Sequence, residues 1–241
     1  MFNTSYKKYI SYYLRKLLLS KIDFVKDKNF KKIDELRRDG AIKLENFHQN
    51  NALSKKIIDC FDEKKDEILN KELPILQKKV GRYNYRSKIS KYFDNELLLE
   101  YANQRFFIDY INQYFGLKPY LRFISVWLDI PKNNTEEDYS QAFHRDDDDV
   151  FLIKTFLCLT DIDKNNGPFQ IIKSSHQYPW KKKYQEKHDK ITMTANKGDL
   201  YLADTNGFHR GMILKNDYRV LLSVHYVSKY PKRKFLNNLI N

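Results

Sequence analysis

The densest chemistry in this chain lies in Gln141-Ala142-Phe143-His144-Arg145-Asp146-Asp147-Asp148-Asp149. On an extended segment, His144 and Asp146 project from one face while Arg145 points away. A neutral imidazole and a carboxylate so placed can take two adjacent positions around a divalent metal. A third ligand must come from elsewhere, and the best candidate is His209, just beyond the apolar run Leu200–Ala203. Two histidines and one carboxylate form a facial triad, which leaves iron positions open for an oxidant and oxygen. An H-x-D on its own is weak evidence, since a loop salt bridge with Arg145 would explain the same residues. A lone His209 would equally suit a satisfied interior histidine. Arg219 strengthens the set: it opens a strand shortly after His209, where a fixed guanidinium could clamp a distal carboxylate in bidentate fashion.

Short strands must carry these groups. Leu121–Ile130, Phe151–Thr160, Phe169–Ile172, Leu200–Ala203 and Arg219–Val227 are apolar runs. They are separated by turn chemistry at Pro131-Lys132-Asn133-Asn134, Asn165-Asn166-Gly167-Pro168, Asn196-Lys197-Gly198-Asp199 and Asn216-Asp217. Such spacing suggests a sandwich or barrel. The preceding part reads as helix: Met1–Lys21, Phe30–Asp39 closed by Gly40, Leu53–Leu69, and Leu97–Phe115 closed by Gly116. Ala41–Leu44 fits a short strand. The expectation is one domain over 1–241, mainly β with flanking α-helices. Residues 1–119 form a helical part packing on the core, 120–228 the β core with the metal site, and 229–241 a basic C-terminal tail. The N-terminal helix is amphipathic and is expected to dock on the core, although its basic residues would also suit an anionic membrane surface.

The 241 residues carry a formal charge of +13, with 41% hydrophobic and 15% aromatic residues, which excludes a disordered tail. No run approaches the length of a membrane span and no signal peptide is recognisable, so a cytoplasmic globular protein is expected. Cys60 and Cys158 lie far apart without C-x-x-C spacing, which indicates neither a disulfide framework nor a cysteine zinc site. The positive balance is mostly lysine, in keeping with a solvated surface, and leaves a smaller share for an anionic substrate or partner. A nucleic-acid module predicts clustered basic and aromatic positions on one element. Only the N-terminal helix and Lys229–Lys234 come near that, so nucleic acid is not the expected partner. His144-Arg145-Asp146 also matches a kinase catalytic tripeptide, but the chain has neither a glycine-rich phosphate loop nor D-F-G.

From about Leu121 to Val227 the chain resembles the phytanoyl-CoA dioxygenase family of Fe(II)/2-oxoglutarate oxygenases. The resemblance rests on the metal and arginine positions, on the pattern from Phe156 through Asn165-Asn166-Gly167-Pro168-Phe169, on the turn Ser174-Ser175-His176, and on Gly198-Asp199. It implies a double-stranded β-helix, a cupin-like jelly roll, with Fe(II) held by His144, Asp146 and His209. It also implies 2-oxoglutarate and O2 as co-substrates, with Arg219 on the 5-carboxylate of 2-oxoglutarate. The expected activity is a hydroxylase acting on a C–H bond of a small, anionic metabolite with release of succinate and CO2. Desaturation or ring closure would follow the same first step. Acyl thioesters, phosphosugars and lipid-linked glycans are the substrate classes that suit the basic balance. The rival is a basic nucleic-acid- or anion-binding jelly-roll protein without turnover. Phe156 stands where the best-known members carry Trp. Lys154, on the same strand face, either contacts the other carboxylate of 2-oxoglutarate or is a surface lysine.

Several residues keep two readings. Asp147, Asp148 and Asp149 form either a solvated acidic loop or partners for Arg145, Arg210 or a substrate amine. His176 reads as a turn residue, and His225 as pocket lining or core. Tyr178, Trp180 and Lys181-Lys182-Lys183 form either a pocket lid or wet surface.

Overall fold

The computed structural model describes residues 10, 13–14, 16–18, 32–78, 85–132, 140–178, 188–233 and 239–240. Two antiparallel sheets face one another. The larger contains β1 (Ala41–Leu44), β2 (Arg86–Lys88), β3 (Tyr120–Asp129), β4 (Leu152–Cys158), β7 (Leu200–Ala203) and β9 (Arg219–Val227), in the order β1-β7-β4-β9-β3-β2. The smaller contains β5 (Phe169–Ile172), β6 (Lys190–Met193) and β8 (His209–Gly211), in the order β6-β5-β8. This is a jelly-roll core with flanking helices, as the sequence led one to expect. All nine residues of β9 are buried. One face of the strand packs Val220, Leu222, Val224 and Tyr226 into the main core, and the other turns Arg219, Leu221, Ser223 and His225 toward the small sheet, so both faces are covered. Cys158, Phe169, Ile171, Met193, Tyr201 and Leu221 fill the space between the sheets.

The helices are α1 (Ile33–Asp39), α2 (Ala52–Lys78), α3 (Asn95–Asn103) and α4 (Arg105–Phe115). Gly40 closes α1 at φ +90°, returning its N–H to the Leu36 carbonyl, and Gly116 closes α4 in the same way on Asn112. The single helix expected over Leu97–Phe115 is two. Gln104 leaves helical geometry at ψ 143° and donates its side-chain amide to Tyr101 O over 2.9 Å. Helix α2 continues past Leu69 to Lys78 because Ile68, Glu72 and Leu76 extend its buried face. Glu72 is tolerated there by Ser87 at 2.6 Å, Tyr92 at 2.9 Å and Lys91 at 2.7 Å.

The helix expected over Met1–Lys21 falls mostly outside the described residues. Within it, Tyr13, Leu14, Leu17 and Leu18 are exposed, and Lys16 Nζ lies 5.7 Å from the Phe151 ring centroid. No helix among the described residues is long and apolar enough to cross a membrane.

Candidate metal centre

The two histidines are neighbours because of backbone pairing. His144 N–H donates to His209 O and His209 N–H donates to His144 O, both at 2.9 Å, which places the residues directly opposite one another. Their ring centroids are 4.3 Å apart. His209 lies on a short strand of its own in the small sheet, not on the strand that follows Gly198-Asp199; a turn over Asp204–Phe208 intervenes. Asp146 N–H is held by Thr205 O at 3.0 Å, and its carboxylate faces both rings. His144 Nε2 is 3.9 Å from Asp146 Oδ1 and His209 Nε2 is 3.7 Å from Asp146 Oδ2. One ligand atom from each of the three residues lies within 4.8 Å of the others.

These groups fit a divalent metal. Each histidine engages the carbonyl two residues before it through Nδ1, His144 with Ala142 and His209 with Gly207, both at 2.9 Å. A carbonyl only accepts, so Nδ1 carries the proton and Nε2 keeps a free lone pair aimed at the centre. Burial, opposed in part by Asp146, lowers the His209 pKa to about 3, so the ring is neutral at ordinary pH. Burial alone would raise the Asp146 pKa, but Lys154 and His209 outweigh it and hold the carboxyl well below the usual range. Lys154 Nζ meets Asp146 Oδ2 at 2.7 Å. A largely buried carboxylate that already draws an ammonium and faces two imidazoles is suited to a cation.

A cavity of about 240 Å³ opens from this centre. Its wall includes Lys154, Phe156, Phe169, Arg219, Leu221 and His225. Lys154 is therefore not a surface residue. Phe156 packs 5.5 Å from Phe169, and Phe169 stacks 5.4 Å from the His209 ring. His225 serves both of its readings: it lines the cavity, packs on Phe123 at 3.8 Å, and is buried. His176 is a turn residue, with Nε2 on Arg37 O at 2.9 Å.

Arg219 is buried, with Nη2 donating to Asp129 and Nη1 to Gly167 O. Arg86 joins the same carboxylate, Nη2 donating to Asp129 Oδ2 at 2.8 Å, while its guanidinium lies 4.9 Å from the Trp127 ring. With two of its five N–H bonds used, Arg219 retains donors for a further anion. Neither Asp129 nor Arg86 stood out in the sequence. Asp129 is the register partner of Arg219, 90 residues away along the chain, and no local pattern signals that pairing.

The acidic run departs from the solvated-loop reading at Asp148 and Asp149, while Asp147 is exposed as that reading has it. Asp149 is buried and receives Val150 N–H at 2.8 Å and Ser228 N–H at 2.9 Å. Asp148 pairs with buried Arg122 at 3.1 Å, and Asp147 with Lys232 at 2.8 Å. These carboxylates tie the loop bearing His144 and Asp146 to the start of the C-terminal tail through Ser228 and Lys232. Arg145 points away as expected, donating to Ser175 O at 3.1 Å, Tyr178 O at 3.2 Å, and Asn206 O. The rest of the expected lid, Trp180 and Lys181-Lys182-Lys183, lies outside the described residues.

No protein-family model matches the sequence, and no curated protein matches it. The phytanoyl-CoA dioxygenase likeness thus rests on its motif residues alone. Solved structures do match in fold. The non-heme alpha-ketoglutarate-dependent epimerase SnoN of nogalamycin biosynthesis has 12% identity and TM-score 0.61, covering 83% of this chain and 82% of its own. The non-heme alpha-ketoglutarate-dependent carbocyclase SnoK of the same biosynthesis has 13% identity and TM-score 0.61, covering 88% of each chain. AviO1 from Streptomyces viridochromogenes Tue57 has 15% identity and TM-score 0.56, covering 86% of this chain and 99% of its own. This chain shares the jelly-roll fold of non-heme, alpha-ketoglutarate-dependent enzymes.

Proposed function

We propose that the protein is an Fe(II)/2-oxoglutarate-dependent oxygenase that hydroxylates a C–H bond of a small anionic metabolite. The observation that carries this reading is the convergence of His144, Asp146 and His209 at the end of a cavity that also contains a buried arginine. SnoN has been solved with Fe3+ and alpha-ketoglutarate on the same fold, which supports the choice of metal and co-substrate. Bound iron would supply oxygen activation coupled to decarboxylation of 2-oxoglutarate, giving succinate, CO2 and removal of a substrate hydrogen.

The chain's own residues hold and orient. The Nε2 lone pairs of His144 and His209 and the Asp146 carboxylate would hold the metal. Arg219 would pair with the 5-carboxylate of 2-oxoglutarate, and Lys154, at the metal end of the cavity, would be available to its other carboxylate. Phe156, Phe169 and Leu221 keep that end dry, which strengthens each charge contact inside. Asp146 fills the position that a halide would need, so oxygen insertion is expected instead of halogenation. Substrate anions are favoured by Arg86, which lines the cavity and remains partly exposed.

Anaerobic titration of the folded protein with Fe(II) and 2-oxoglutarate should produce the weak visible charge-transfer band of the chelate. A folded protein without that band overturns the assignment and leaves an anion-binding jelly roll without turnover. Product mass then separates the reaction types. Hydroxylation adds one oxygen, ring closure or desaturation removes two hydrogens, and epimerisation leaves the mass unchanged.

A further inference from the structure

Strand β4 sends a charged side chain into the cavity wall beside Phe156. Lys154 has Ala203 of β7 and His225 of β9 as its register partners and shares the inward face with Phe156. Its side chain is only 14% exposed, and its ammonium stops 2.7 Å from Asp146 Oδ2. That oxygen is the one facing His209 Nε2 at 3.7 Å, so the lysine sits on the carboxylate atom that a metal shared with His209 would use. Without the lysine, Asp146 would be a largely buried anion lacking its counter-charge; without Asp146, Lys154 would be a largely buried cation lacking its own. Each neutralises the other.

A divalent cation disrupts this balance. It claims the carboxylate and leaves an ammonium beside a dication in a poorly solvated cavity, where like charges repel strongly. Arg219 and Arg86 also line the cavity, both held by the carboxylate of Asp129. An anion bound beside the metal would relieve the repulsion by accepting the freed ammonium.

We propose that Lys154 is an internal counter-cation for the metal-binding carboxylate, so that divalent metal is captured tightly only together with an anionic co-ligand that takes over the lysine. This rests on the reading that His144, Asp146 and His209 bind metal. The co-ligand chemistry is a small carboxylate, and the 2-oxo acid of the proposed reaction fits it. Lys154 acts here as a coupling residue: it weakens the metal when alone and favours the metal–anion pair.

The test is calorimetric titration of the full metal-free chain with Mn(II), a probe that does not need turnover, with and without saturating 2-oxoglutarate. Lys154→Met should bind Mn(II) alone about tenfold more tightly than wild type, within the usual range of coupling between sites. The gain in Mn(II) affinity on adding 2-oxoglutarate should shrink by a similar factor. Lys154→Arg, which keeps the charge, should behave as wild type, and Lys154→Gln provides a second neutral variant should Lys154→Met fold poorly. Equal or weaker Mn(II) binding by a folded neutral variant overturns the proposal. Asp146→Ala is titrated alongside. If it binds Mn(II) as well as wild type, the metal-centre reading itself has failed, and the inference with it. If it loses Mn(II) while the neutral lysine variants match wild type, only the inference has failed.

Discussion

Replacing Asp129 by Asn tests whether one buried carboxylate holds the Arg219 end of the cavity together. The side chain is fully buried and lies between Arg219 and Arg86. Burial raises its pKa, but the two guanidiniums outweigh that and bring it from the usual 3.8 down to about 2. One pKa unit corresponds to about 1.4 kcal/mol, so ionised Asp129 contributes about 2 kcal/mol more to the folded state than its protonated form does. The folded pKa is depressed, so this contribution is fully present above about pH 4 and is lost as the pH falls from about 4 toward 2. Asp129→Asn removes the anion at every pH and strands two cations, one of them buried. Breaking such a pair from one side costs about 3–5 kcal/mol. Urea unfolding followed by tryptophan fluorescence should show this deficit at pH 7. The deficit should narrow progressively as the pH falls below about 4, by up to about 2 kcal/mol near pH 2, because wild type then loses what the variant never had. A deficit below about 1 kcal/mol at pH 7, or one that does not change with pH, refutes the reasoning.

Three further outcomes are expected. Arg219→Ala should weaken 2-oxoglutarate binding by about 1.5–3 kcal/mol, the range for a charge-assisted hydrogen bond, while Mn(II) binding by calorimetry stays within twofold of wild type, about 0.4 kcal/mol. Asp146→Ala should lose Fe(II) binding and succinate release, whether or not chloride is present, whereas Asp147→Ala should keep both, because Asp147 is exposed and bonded to Lys232. Gly198→Ala should cost about 1–2 kcal/mol in thermal or urea unfolding, since φ there is +88° and a Cβ would run into the His48 ring.

Much of this protein was legible one residue at a time. The H-x-D spacing, His209, Arg219 and the apolar runs of the strands are local patterns, and period-two alternation already put His144 and Asp146 on one side with Arg145 on the other. Gly40 and Gly116 marked helix ends because a positive φ there suits glycine almost alone. The break at Gln104 was not readable, since no proline or glycine marks it and a side-chain amide makes the turn. Asp148 and Asp149 were misread for a related reason. Three successive aspartates look like solvent-facing charge until the C-terminal segment returns with Ser228 and Lys232, and Arg122 of β3 faces Asp148.

Tertiary structure alone decided the charge network around the cavity. Whether Lys154 lay on a wall or on the surface depended on which face of β4 the second sheet covers. Asp129 met Arg219 only because β3 and β9 pair in that register, and a shift by one residue would have turned the carboxylate to the other face. Ligand types are written in local sequence because a metal's demands are local. The partners that tune those ligands come from strands far apart in the chain, and strand register is set by the packing of the whole sheet.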